Sequence, residues 1–91
     1  MTEKTLESKL VKTVKAMGGI APKFTSTSLN GMPDRLVLLP QGKIAFVEVK
    51  RRGVKPRPLQ LKRHGMLRTL GFKVFVLDCT EQIGEILSEI T

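Results

Sequence analysis

Two apolar runs, Arg35–Leu39 and Lys43–Val49, stand on either side of Pro40-Gln41-Gly42, and nothing else in the sequence restricts the fold so tightly. Val, Ile, Leu and Phe dominate both runs, and a short break carrying Pro and Gly between them predicts an antiparallel hairpin. Alternate residues of a strand share a face. Ile44, Phe46, Glu48 and Lys50 therefore lie on one side and Ala45, Val47 and Val49 on the other. Pairing Leu39 with Lys43 or with Ile44 sets Asp34 opposite Glu48 or Val49. Either register brings both carboxylates to one end of the hairpin. Gly31-Met32-Pro33 predicts the turn that delivers Asp34 there.

The flanking segments supply the layers that cover such a hairpin. From about Glu3 to Met17, apolar Leu6, Leu10, Val11, Val14 and Met17 recur at helical spacing until Gly18-Gly19 stops them. Ile20–Thr27 reads as an irregular first strand carrying Pro22, followed by a polar turn. After a basic loop, Arg51–Arg57, Pro58 suits the first turn of a second helix. Its inward positions are expected at Leu59, Met66, Leu67 and Leu70, with Gly71 closing it. Phe72–Leu77 reads as a strand, and Thr80 as the cap of a last helix with Ile83, Leu87 and Ile90 inward. The order α-β-β-β-α-β-α predicts an α/β fold, a mixed sheet flanked by helices, as one domain over residues 1–91.

A chain of 91 residues builds only a thin core. With no Trp or Tyr it has no aromatic platform for sugars or stacked bases, and its four Phe are assigned to the core. The single cysteine, Cys79, allows no internal disulfide and argues against a zinc module, leaving it as a small strand-end residue. Leu36–Leu39 and Val74–Leu77 are apolar runs of four, far short of the roughly 20 residues a membrane span needs. The N-terminal segment is interrupted by Glu3 and Glu7 and carries no signal pattern. The expectation is a soluble protein of a reducing compartment, the cytoplasm, with no membrane partner.

Sixteen Lys and Arg against eight Asp and Glu leave a net charge of +8, which favours a polyanion such as nucleic acid. The acids gather at the two ends. Between Ser8 and Leu77 only Asp34 and Glu48 occur, in the stretch that holds every basic residue except Lys4. Carboxylates repel phosphate, so two isolated acids amid that much positive charge point to a further task. Mg²⁺ or Mn²⁺ binding is the obvious candidate, because a hard cation takes oxygen ligands and bridges carboxylate to phosphate. Asp34, Glu48 and the backbone carbonyl of Val49 are the expected ligands. Lys50 is expected to orient water or stabilise charge on the phosphate.

Two more polar residues extend that constellation. Glu7 falls inside the apolar arc of the first helix, a costly place unless paired or metal-bound, although the helix dipole also favours it there. Gln60, in the first turn of the second helix, is placed to reach a metal-bound water or a phosphate, or else is an exposed helix glutamine. Arg51, Arg52, Lys55, Arg57, Lys62, Arg63 and Arg68 are candidates for phosphate contact, their alternative being a solvated charged face. Ser26, Thr27 and Ser28 are weaker candidates, equally explained as a polar turn. His64 is expected to be an exposed helix residue, neither ligand nor base.

Gly31-Met32-Pro33-Asp34, followed by Glu48-Val49-Lys50 on the next strand, resembles the PD-(D/E)XK nuclease signature. With Glu7 ahead of it and Gln60 behind, the pattern resembles the VRR-NUC (virus-type replication-repair nuclease) family, over nearly the whole chain. That resemblance implies a restriction-endonuclease-like fold and a metal site at Asp34, Glu48 and Val49. It also implies a catalytic Lys50, with Glu7 and Gln60 completing the site. Stand-alone members of this size resemble phage or bacterial homodimers that cut branched DNA such as Holliday junctions, and a two-fold dimer matches the symmetry of a four-way junction. The competing class is a non-catalytic basic DNA-binding module, in which Asp34 and Glu48 serve only in salt bridges.

Overall fold

A computed structural model describes residues 2–91. The elements are α1 (Glu3–Ala16), β1 (Arg35–Leu39), β2 (Lys43–Val49), α2 (Pro58–Thr69), β3 (Lys73–Leu77) and α3 (Glu81–Ile90). The strands form one mixed sheet in the order β1-β2-β3. β1 and β2 are antiparallel with Leu39 paired to Lys43 and Arg35 to Val47. Continued by one step, this register sets Asp34 opposite Glu48. β2 and β3 are parallel, with Phe46 beside Val74 and Glu48 beside Val76. A parallel pair needs a crossover, and α2 supplies it. The hairpin reverses over a single 3-10 turn, Pro40–Gly42, where Gln41 and Gly42 both take positive φ, 69° and 74°.

The alternation along β2 divides the molecule into two unequal layers. Ala45, Val47 and Val49 face α1 and α3, joining Leu6, Leu10 and Val14 with Leu77, Ile83, Ile86, Leu87 and Ile90 in the main core. Burying each such side chain contributes about 1.5–3 kcal/mol before entropy is counted. The opposite face carries a smaller cluster, Phe46, Leu67 and Val74, with Phe24, Met32 and Leu36 packed on it. The Phe46 ring meets Phe24 and Phe72 edge to face, at centroid distances of 5.8 and 5.7 Å. Phe72 nevertheless stays 39% exposed, so not every Phe is a core residue.

Three local expectations need correction. The Ile20–Thr27 segment is no strand; it touches β1 through isolated bridges, Ile20 to Leu38 and Lys23 to Arg35. The Leu36 N–H donates to the Pro22 carbonyl at 3.1 Å, but Pro22 has no N–H to return, so the ladder is interrupted between the two bridges. α2 keeps its bounds but not its phase. Its buried residues are Gln60, His64 and Leu67, whereas Leu59, Met66 and Leu70 are exposed. The inward stripe is rotated because its first two turns face a carboxylate, as described below. Thr80 makes no side-chain cap. The Gln82 side-chain oxygen accepts from the Asp78 N–H at 2.8 Å instead. Among the described residues no helix is long and apolar enough to cross a membrane.

Candidate metal centre and nucleic-acid interface

The Gly31–Asp34 turn is held against α2. Gly31 has φ +84°, and a Cβ there would lie 2.8 Å from Leu59 Cγ. Arg63 Nε donates to the Asn30 carbonyl at 2.7 Å, fastening the same turn from the next helical turn. So braced, Asp34 turns inward, and its Oδ2 accepts from the Val49 N–H at 3.0 Å. One residue earlier on β2, the Glu48 side chain is only 1% exposed. Its Oε2 accepts from Gln60 Nε2 at 3.0 Å and pairs with Lys50 Nζ at 3.5 Å.

Gln60 works in both directions. Its amide nitrogen holds Glu48, while its oxygen accepts from the Arg57 N–H at 2.8 Å and secures the start of α2. The sequence expectation had it reaching a bound water or phosphate; the direct contact is with the carboxylate. Four predicted residues, Asp34, Glu48, Lys50 and Gln60, thus converge.

Glu7 stands apart from them. Its Oε1 accepts from Arg35 Nε at 3.0 Å, in an ion pair that accounts for a carboxylate on the inward side of α1. Glu7, Glu3 and Asp34 line one cleft of ≈ 240 Å³ with Lys23, Phe24 and Thr25, so Glu7 borders the site rather than joining Glu48. Arg35 was missed in the sequence; its place directly after Asp34 was the available signal.

His64 overturns its expectation outright. It is fully buried, one helical turn after Gln60, with Nε2 3.7 Å from Glu48 Oε1. At that distance no hydrogen bond is made, and Glu48 Oε1 and both ring nitrogens have no partner. The spacing Gln60–His64, four residues on one helix face, was the overlooked clue. Burial, then the charge of Arg68, holds the imidazole below its ordinary value. Burial, then the charge of Asp34 and a hydrogen bond shared with it, pushes Glu48 up to about 7, against the opposing pull of Lys50.

The basic residues form the surroundings. Arg51, Arg52, Lys55 and Arg57 are exposed in the loop that leaves β2 beside the carboxylates, and Lys62 is exposed on α2. Arg63 is half-buried and engaged with Asn30. Ser26 closes its own turn, its Oγ accepting from the Leu29 N–H at 3.0 Å. Arg68 donates to the Val74 carbonyl at 2.7 Å, beside the sheet.

The donor set suits a hard divalent cation. The charge of Asp34 adds to burial in raising Glu48, as expected of a carboxylate short of neighbouring positive charge, and Glu48 Oε1 has no donor of its own. Among the described residues no three His, Cys, Asp or Glu side chains gather as a metal cage. An ion held here would fill the rest of its shell from the Val49 carbonyl, water and phosphate.

The chain is similar to known proteins in sequence and in fold. No family model matches the chain. The "Putative nuclease p44" of Acyrthosiphon pisum secondary endosymbiont phage 1 is 49% identical over 88 residues, covering 97% of this chain and 94% of that protein. A solved structure titled "VRR_NUC domain" is 34% identical and superposes with a TM-score of 0.89, covering 97% of each chain. A second, "VRR_NUC domain protein", shares the fold at a TM-score of 0.74 and 16% identity, over 100% of this chain and 91% of that one.

Proposed function

The chain belongs to the VRR_NUC family, and on that premise we propose that it is a metal-dependent endonuclease hydrolysing phosphodiester bonds of structured DNA. The observation that carries this reading is the convergence of Asp34 and Glu48 beside Lys50 at the foot of a basic loop. Asp34, Glu48 and the Val49 carbonyl would hold Mg²⁺ or Mn²⁺. When bound, such an ion polarises a scissile phosphate and acidifies water.

The protein's own groups do the rest. Gln60 fixes one oxygen of Glu48, so the carboxylate is oriented before substrate arrives. Lys50, within 3.5 Å of that oxygen, positions water or neutralises charge growing on the phosphate. Arg51, Arg52, Lys55, Arg57 and Lys62 draw in the DNA backbone. The Glu7–Arg35 pair walls the cleft on the α1 side.

The finer proposal is a homodimer that cuts branched DNA such as a Holliday junction, in the cytoplasm of a bacterial host. Dimer formation is supported by an apolar row that α2 leaves bare. Ile20 bridges Leu38 and Leu38 pairs with Ile44; the β2–β3 register, continued by one step, sets Phe72 beside Ile44. Ile20, Ile44 and Phe72 are all exposed.

The test is incubation of labelled four-way junctions, flaps and plain duplex with Mg²⁺ or Mn²⁺. Cleavage is expected, abolished by EDTA and by Asp34→Ala, Glu48→Ala or Lys50→Ala, with DNA binding retained. Intact strands in every reaction would instead identify a DNA-binding module whose acids serve only the fold.

A further inference from the structure

Among the described residues, His64 is the one fully buried polar residue that the proposed mechanism does not use. α2 turns three side chains inward, Gln60, His64 and Leu67. Leu67 joins the small apolar cluster, and Gln60 is bound at both ends. His64 lies between them with two nitrogens unmatched, in a position a leucine would fill with no polar atom to satisfy. The unmatched polar atom facing it is Glu48 Oε1, at 3.7 Å from Nε2. Both established donors to Glu48, Gln60 and Lys50, sit on the other oxygen.

We infer that His64 is a positioning residue for Glu48: its Nε2–H donates to Oε1 as Gln60 donates to Oε2, so that one face of α2 clamps both carboxylate oxygens. The inference rests on the metal-site reading above and deepens it. A shift of well under 1 Å brings 3.7 Å into hydrogen-bond range. A carboxylate oxygen accepts two hydrogen bonds or ligands, so this contact leaves Oε1 a lone pair for an ion. Because Lys50 attracts Glu48 and the charge of Asp34 repels it, a carboxylate held at one oxygen alone is free to swing. Held at both, it presents a fixed edge.

Two variants of the full chain separate positioning from packing. His64→Leu fills the space and removes both nitrogens, and His64→Gln restores an N–H donor on a shorter, unringed side chain. Mn²⁺ affinity, read from free Mn²⁺ by electron paramagnetic resonance, is expected to fall about 10–100-fold in His64→Leu and to recover in large part in His64→Gln. Circular dichroism checks that both are folded. Nitrogen NMR of the metal-free wild type is expected to show the proton on Nε2.

An Nε2 without its proton in that spectrum would overturn the inference, as would wild-type Mn²⁺ affinity in folded His64→Leu. Nitrogen hyperfine coupling to bound Mn²⁺ that disappears in His64→Leu would also overturn it, by making His64 a ligand. Should the wild type bind no Mn²⁺ at all, the metal-site reading fails, and the proton position in the metal-free protein still decides the His64–Glu48 contact.

Discussion

At pH 8 Glu48 is ionised while 1% exposed, set between a second carboxylate, an ammonium and an amide. With its carboxyl near 7 when folded and near 4.5 when free, the folded chain holds a proton across that interval that the unfolded chain has lost. Stability contributed by this group is therefore full below about 4.5 and declines as pH rises to 7. Glu48→Gln, which cannot ionise and keeps an oxygen for Gln60, is expected to abolish cleavage yet melt higher than wild type above pH 7. A gain on the order of 5 °C is the scale for a domain this size. Thermal unfolding at a series of pH values checks it. The gap should close toward pH 5, and a gap independent of pH would refute the assignment. Saturating Mg²⁺ should raise the wild-type midpoint and leave the variant's where it is.

Among the elements, the Gly31–Asp34 turn and α2 depend on each other. Gly31→Ala meets both a left-handed backbone and Leu59 Cγ 2.8 Å away, so the turn has to lift off the helix and carry Asp34 with it. Gly42→Ala has the same backbone problem at φ +74° but nothing within 4 Å. The first variant is expected to lose about 2–4 kcal/mol and most cleavage, the second about 1 kcal/mol and none. Urea unfolding paired with a junction-cutting assay distinguishes them, and equal losses would contradict the packing account. The same contrast shows what was legible in the sequence. The hairpin was readable to the residue, because Pro40-Gln41-Gly42 and the alternation of Lys43–Val49 are local signals. Its register was open between two pairings one residue apart, both bringing Asp34 and Glu48 to the same end; the structure takes Leu39 with Lys43. The phase of α2 was not readable from apolar spacing, because its buried stripe begins with Gln60 and His64 and its Leu59 and Leu70 face out. An inward stripe that is polar has no hydrophobic signature; only its reason for being polar, a buried carboxylate on another element, makes sense of it. Glu7 lies on the inward side of α1 as its place in the apolar arc implies, and its partner Arg35 is 28 residues away, so only the position of Arg35 directly after Asp34 hinted at the pair.

For the molecule as a whole, a net charge of +8 makes DNA affinity a matter of counterions. Raising salt from 50 to 200 mM is expected to weaken junction binding on the order of a thousandfold, and Arg51→Ala with Arg52→Ala to flatten the log–log slope by about 2. A slope unchanged in the double variant would remove the loop from the interface. Ile44→Glu plants a charge in the bare apolar row and is expected to convert a dimeric mass, measured by light scattering, to a monomeric one. Retention of the dimer would move the subunit contact elsewhere.

The division into unequal layers has a last consequence. α1 and α3 share a continuous apolar core with the sheet, but α2 is fastened by Leu67 together with hydrogen bonds from Gln60 and Arg63. Amide protons of α2 should therefore trade with solvent deuterium sooner than those of the other two helices, and slow down when a divalent ion quiets the Asp34–Glu48 repulsion. In that sense the helix is a reporter: its breathing rate registers whether the acids beneath it have found their counter-charge.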